Sequence, residues 1–305
     1  MDFKVSKLFG ISDLNKLKDL LKYDLEEYKS TKHIYWNHYQ CRIINNGKRL
    51  VEEPDEELKK IQKRINSLLK EIIIPPYMHS CKGKSCITNA EAHKANPHKI
   101  TKLDIYKYYP STSRDKIYRF WKYDMKMSGE VANLMTNITT ITIFPNSNVF
   151  NYLSDKGIKT YSHLPTGSPS SPLLSYLANR IMFDNIFHEV AKCGGTLSIY
   201  ADDITISGVK ETKTVYLNIR TILFSNGYRV SNTKSGIKKN NKGIEITGII
   251  LGEDGNLMVP NRINKKIKDI QQSSDCKDKK EFAVKGIKQF QRQINRANGI
   301  FFTHH

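Results

Sequence analysis

Leu197–Ser207, LSIYADDITIS, decides how the rest of this chain is read. Leu197 and Ile199 alternate with polar or aromatic neighbours before Asp202 and Asp203, and Ile204 and Ile206 alternate with Thr205 and Ser207 after them. A period of two on both sides predicts a pair of strands meeting at a tight turn that carries the acidic pair. A turn does not require two adjacent carboxylates. Their repulsion is relieved by a divalent cation, and hard oxygen ligands suit Mg2+. Read alone, a solvated acidic turn accounts for the pair equally well, because Asp is a common turn former.

Moving outward from the hairpin, residues 99–106, KITKLDIY, predict a strand with Asp104 among Ile100, Leu103 and Ile105. A carboxylate inside an apolar strand is costly unless it is paired or metal-bound, which marks Asp104 as functional. Residues 164–172, LPTGSPSSP, hold three prolines and a glycine and form a stiff, bent segment ahead of a predicted helix over 173–191. Backbone N–H groups and small hydroxyls at a helix entrance suit a nucleotide or template strand, although as an isolated loop the segment reads as structural. Beyond the hairpin a helix is predicted over 211–227, a short strand over Tyr228–Ser231 leading to Lys234, and one further strand over Ile244–Leu251.

Towards the N-terminus, residues 11–30 predict an amphipathic helix with Leu14, Leu17, Leu21 and Leu25 on one stripe and Ser12 or Asp13 as its cap. Ile34–Ile44 and Lys48–Val51 read as a hairpin around Asn45-Asn46-Gly47. Its Arg42, Lys48 and Arg49 suit a triphosphate, and equally a solvated basic surface. Pro54 opens a predicted helix with Leu58, Ile61, Ile65, Leu68 and Leu69 on one face, ended by Pro75-Pro76. His79, Cys81, Cys86, His93 and His98 are the one cluster with metal-ligand residue types, but their spacing lacks the repeated pairs of a zinc site. A loop entering a helix at Thr88–Glu91 is the better reading.

The charge balance narrows the class of partner. Forty-nine Lys and Arg against thirty Asp and Glu leave +19, which favours a polyanion, nucleic acid above all. About +7 of that excess lies in residues 261–305, with eleven basic residues against four acidic ones, a surface suited to a duplex backbone. Sixteen tyrosines and twelve phenylalanines add possible stacking platforms. No apolar run approaches the roughly 18 residues that cross a membrane, and residues 1–10 lack an export signal. Five cysteines without a CxxC pair suit a reducing cytoplasm.

The order strand-Asp104, LPTGSPSSP, YADD and a Lys234-bearing segment resembles the successive palm motifs of reverse transcriptases. Asn89-Ala90-Glu91-Ala92-His93 looks like the NAxxH motif of bacterial retron reverse transcriptases, and Ile246-Thr247-Gly248 resembles their VTG motif. The resemblance extends from about residue 35 onward, and the lack of a maturase or endonuclease extension after residue 305 fits the retron form. It implies an α+β, right-hand polymerase fold with an antiparallel palm sheet flanked by helices and a helical thumb. The implied divisions are 1–98 (N-terminal helix and fingers), 99–124 (palm), 125–163 (connection), 164–249 (palm) and 250–305 (thumb).

Carried over by residue, the resemblance implies that Asp104 and Asp202 hold two Mg2+ ions, with the Ile105 carbonyl assisting and Asp203 shaping the site. Arg49 would meet the triphosphate, Tyr109 would close against a 2′-hydroxyl, and Lys234 would help protonate pyrophosphate. Thr166 stands where the family usually has Gln, beside Gly167 and Ser168 at the expected nucleotide contact. Asn89, His93, Thr247, Gly248 and the thumb lysines Lys265, Lys266 and Lys268 would serve RNA recognition. The implied substrates are deoxynucleoside triphosphates and a cognate structured noncoding RNA, primed from the 2′-hydroxyl of an internal guanosine to leave a branched RNA–DNA hybrid. The implied setting is cytoplasmic antiphage defence with an associated effector protein. Another bacterial reverse transcriptase (group II intron, diversity-generating or abortive-infection type) and a non-catalytic RNA-binding scaffold are the competing readings.

Overall fold

The structure is a computed structural model and describes residues 1–29, 38–272 and 277–300. His33 and the start of the strand expected from Ile34 lie outside the described residues. The strands are β1 (Tyr39–Ile44), β2 (Arg49–Pro54), β3 (Lys99–Asp104), β4 (Ile141–Thr142), β5 (Ser162–His163), β6 (Thr196–Tyr200), β7 (Asp203–Ser207), β8 (Gly236–Lys239), β9 (Ile244–Ile246), β10 (Ile249–Leu251) and β11 (Leu257–Met258). Every paired strand runs antiparallel, and helices alternate with them along the chain, which is the α+β class expected. No helix among the described residues is long and apolar enough to cross a membrane.

The chain packs into two compact units, each assembled from separated stretches. The first comprises Met1–Pro75, Tyr106–Asp184 and Phe224–Tyr228; the second comprises Pro76–Ile105, Asn185–Leu223 and the residues from Arg229 onward.

In the first unit Asp13 caps the helix Leu14–Leu21, accepting from the Asn15 and Lys16 amides, and Leu17 and Leu21 are wholly buried. The helix expected to reach residue 30 stops where Lys22 turns left-handed (φ 65°). β1 and β2 form the predicted hairpin, with Ile44 opposite Arg49 and positive φ at Asn45, Asn46 and Gly47. Pro54 closes β2 instead of opening a helix. Asp55, whose Oδ1 accepts from the Leu58 amide, caps the helix Glu56–Leu69. Leu58, Ile61, Ile65, Leu68 and Leu69 are all buried on its inner face, as the helical spacing requires. The helix expected over 173–191 is two helices, Ser171–Ala178 and Arg180–Lys192. They are broken at Asn179, whose Nδ2 donates to the Ser175 carbonyl.

The second unit is built on a four-stranded sheet in the order β6-β7-β3-β8. A second, three-stranded sheet in the order β11-β10-β9 packs Ile244, Ile246, Ile249, Leu251 and Leu257 against Ile87, Ala90 and Ile294. Ile244–Leu251, expected as one strand, is therefore a hairpin. Its two-residue turn, Thr247-Gly248, has φ of 44° and 90°, the positive pair that matches the twist of adjoining strands. The helix Cys86–Glu91 begins with a reciprocal capping box between Ser85 and Thr88. The basic tail forms the helices Asn261–Gln272 and Lys277–Ala297.

Candidate active site

The acidic pair lies at the tip of the β6–β7 hairpin, where Tyr200 faces Asp203 across a two-residue turn of Ala201 and Asp202. Ala201 adopts φ 56°, a left-handed conformation that costs an L-residue roughly 1 kcal/mol. Its amide donates to Ser80 Oγ at 3.1 Å. The neighbouring strand sets the third carboxylate: Asp104, the last residue of β3, is the register partner of Asp203. Three hydrogen bonds, two of them backbone to backbone, fix that strand end. Ile105 N donates to Asp202 O at 2.9 Å, Asp104 N to Ser235 Oγ at 2.9 Å, and Ser231 N to Asp104 O at 2.8 Å.

Gathering three carboxylates has an electrostatic consequence. Burial, then the charges of Asp203 and Asp104, push the Asp202 carboxyl up to about 6. Burial also raises Asp203, opposed by Lys102. Lys234 supplies the counter-charge: its Nζ lies 2.9 Å from Asp104 Oδ2, and that bond raises its own pKa. Oxygen donors that repel one another in a half-buried site are the donor set a hard divalent cation satisfies. The fit is one of donor chemistry, because among the described residues no three His, Cys, Asp or Glu side chains stand in ligating geometry around one point.

The remaining expected site residues fall into three groups. Arg49 and Tyr109 belong to the first unit, Arg49 exposed at the start of β2 and Tyr109 half-buried with its ring 5.6 Å from Tyr108. Arg42, the other basic candidate on this hairpin, is held by Glu53 at 2.8 Å. Thr166 and Gly167 do not present free donors towards a nucleotide. The Thr166 hydroxyl accepts from Glu52 N and donates to Leu50 O, and Gly167 N donates to Glu52 O. Ser168 is 5% exposed, with its Oγ bonded to that of Ser170.

Asn89 and His93, expected at the RNA, are wholly buried, so neither offers an edge to a nucleic acid. His93 bonds to both strands of the β6–β7 hairpin, Nδ1 2.7 Å from Ser207 Oγ and Nε2 2.7 Å from Ser198 Oγ. Asn89, one helical turn earlier, donates from Nδ2 to Thr247 Oγ1 at 3.2 Å, so two motifs 158 residues apart meet directly. Asn89, on the helix Cys86–Glu91, and His93, two residues beyond its end, lie on the side of the segment that packs against the sheets, so both are buried. Lys265, Lys266 and Lys268 are exposed on the helix Asn261–Gln272, as a nucleic-acid surface requires. Arg262 on the same helix is instead paired in bidentate fashion with Glu245.

Sequence reasoning missed Ser235, Glu52 and His163. Ser235 adjoins Lys234, so its proximity to Asp104 was detectable once β8 was paired with β3. The Glu52–His163 contact links residues 111 apart and has no local signal.

A family model for reverse transcriptase (RNA-dependent DNA polymerase) matches residues 40–251. The retron Se72 reverse transcriptase of Salmonella heidelberg (strain 579083-10) is 30% identical over 172 residues, covering 55% of this chain and 39% of that protein's length. Among solved structures, the foamy viral protease-reverse transcriptase bound to an RNA/DNA hybrid is 16% identical, with a TM-score of 0.42, covering 80% of this chain and 26% of that one. The same viral protein with dsDNA is 17% identical, with a TM-score of 0.44, covering 80% and 40%. With the family match spanning more than half of its residues, the chain belongs to the reverse transcriptase (RNA-dependent DNA polymerase) family.

Proposed function

We propose that the protein is an RNA-directed DNA polymerase of the retron type, with Asp104, Asp202 and Asp203 as its catalytic carboxylates. The observation that carries this reading is the gathering of the three carboxylates and Lys234 at one end of an antiparallel sheet, in a chain of formal net charge +19. A module that only bound RNA would gain nothing from setting three acidic side chains against a phosphate backbone.

Reverse transcriptases use divalent metal ions, and the donors here suit two Mg2+ held by Asp104, Asp202 and the Ile105 carbonyl, with Asp203 beside them. Bound magnesium supplies a lowered pKa for the attacking hydroxyl and neutralises charge on the triphosphate. Phosphoryl transfer is otherwise mostly positioning, and the protein's side chains provide that. Arg49 binds the triphosphate, and Tyr109 meets the sugar and selects deoxynucleotides. Lys234, its proton secured on Nζ by the neighbouring carboxylates, donates it to the leaving pyrophosphate.

The retron assignment adds a cognate noncoding RNA, priming from the 2′-hydroxyl of an internal guanosine, a branched RNA–DNA product and antiphage defence with an effector protein. Its supports are the NAEAH and ITG motifs joined through Asn89 and Thr247, and the similarity to a retron reverse transcriptase. A further support is the basic tail, where a groove of about 730 Å³ is lined by Lys280, Lys285, Lys288, Arg292 and Arg296.

Two measurements test the proposal. Wild-type protein should incorporate deoxynucleotides on a primed RNA template with Mg2+, and Asp202→Asn should lose at least about a thousandfold of that activity. Equal incorporation by both proteins, or by neither, would sink the polymerase assignment. Sequencing of copurified nucleic acid should reveal DNA branched from a guanosine 2′-oxygen; linear products alone would point to another bacterial reverse transcriptase.

A further inference from the structure

Glu52 is wholly buried in β2, and its carboxylate makes two long-range contacts within the first unit. Oε1 lies 2.8 Å from His163 Nε2, and Oε2 accepts from the Thr166 amide at 3.0 Å. His163 is also wholly buried, and its Nδ1 lies 2.6 Å from the Thr160 carbonyl. Both ring nitrogens therefore meet acceptor oxygens, and the Glu52–His163 contact must contain a proton, on Nε2 as an ion pair or on Oε1 as a neutral one.

The backbone repeats the attachment. Glu52 N donates to Thr166 Oγ1, Thr166 Oγ1 donates to Leu50 O, and Gly167 N donates to Glu52 O, at 3.0, 3.1 and 3.1 Å. The approach is so close that a Cβ on Gly167 would fall 2.5 Å from Glu52 O, so only glycine fits there. Thr166 and Gly167 are thus bound along Leu50–Glu52, in the strand that begins with the exposed Arg49.

We propose that Glu52 and Thr166 are positioning residues for the incoming nucleotide: they lock the LPTG loop and the Arg49 strand into one rigid piece. The sugar contact that a longer side chain would make at position 166 is exchanged for rigidity of the strand that carries Arg49. A buried carboxyl group suits the task because it bonds to two elements at once, to His163 through Oε1 and to the Thr166 amide through Oε2. The proposal rests on the polymerase assignment.

Steady-state incorporation on a homopolymeric RNA template with a DNA primer, using the whole protein and varied deoxynucleotide, tests it. Losing a contact made equally in ground and transition states raises KM and spares kcat. Thr166→Val should raise KM for the deoxynucleotide about tenfold with kcat within about twofold, and Thr166→Ser should restore the wild-type KM. Glu52→Gln should follow Thr166→Val. If Glu52→Gln fails to fold, the Val and Ser pair still decides, because a hydroxyl-to-methyl exchange preserves volume. A wild-type KM in Thr166→Val, or a lowered melting temperature with KM unchanged, would overturn the proposal. A wild-type protein that incorporates nothing would overturn the polymerase assignment instead.

Discussion

His93 shows how one buried side chain can hold both strands of the acidic hairpin. Its two ring nitrogens lie between Ser198 on β6 and Ser207 on β7, so a neutral ring fits: one nitrogen donates and the other accepts. Burial, and secondarily His79, holds its pKa down to about 3. The unfolded chain binds this proton near 6.5, so His93 contributes stability fully above pH 6.5 and loses it as pH falls towards 3. The slope approaches about 1.4 kcal/mol per pH unit in that window, and urea midpoints at pH 7.5 and pH 5 should report it. His93→Gln should flatten that dependence by about one proton's worth, with His79, held near 4, providing the remainder. Asp202 behaves oppositely. Its raised carboxyl means that the folded state resists ionisation, so removing the charge should help the metal-free protein. In EDTA, Asp202→Asn should be more stable than wild type by about 1–3 kcal/mol, and it should gain less from added Mg2+. A thermal melt with and without Mg2+ reads both differences.

At the scale of elements, the LPTGSPSSP segment and β2 behave as one structure, although 114 residues separate Thr166 from Glu52. Gly167→Ala should therefore destabilise the protein by roughly 1–3 kcal/mol, since the atoms its Cβ would strike are backbone and cannot step aside. Chemical denaturation would show the loss, and a midpoint equal to wild type would mean that the loop stands off β2 in solution. The Thr247-Gly248 turn is a comparable case in the second unit. Thr247 is β-branched yet adopts φ 44°, and its hydroxyl is bonded to Asn89 Nδ2 and Cys86 O, which hold it there. Ile244–Leu251 reads as one strand because β-branched apolar residues flank the turn on both sides, but the buried set shifts from Ile244 and Ile246 to Ile249 and Leu251, as a two-residue turn requires. That shift of phase and the Thr247-Gly248 pair together mark the break.

For the whole molecule, net charge governs the encounter with nucleic acid. Each phosphate neutralised by a lysine or arginine releases a counterion, so affinity falls linearly with salt on logarithmic axes. Reversing Lys265, Lys266 and Lys268 to Glu should weaken RNA binding and reduce the magnitude of that slope by about 2–3, measured by titration between 50 and 200 mM salt. An unchanged slope would assign these lysines to solvent. Arg262 belongs to a different class, because its guanidinium is already engaged by Glu245 and its loss should act on the tail helix first.

The strands either side of Asp202-Asp203, the Asp104 strand, the Asp13 helix cap and the cationic tail were legible in the sequence. Each depends on local periodicity, turn chemistry or charge, and these act over a few residues. The order of the palm motifs also carried the family, because catalytic spacing along the chain is itself a sequence property. What only the tertiary structure decided is which polar side chains face inward. Asn89 and His93 look like recognition residues in sequence, and packing turned them into the supports of the ITG turn and the β6–β7 hairpin. Thr166 looks like a shortened nucleotide contact, and Glu52 made it the attachment of a loop to a strand. The physical reason is common to all three: a polar side chain drawn away from solvent bonds to what the packing brings to it, here residues more than a hundred positions away.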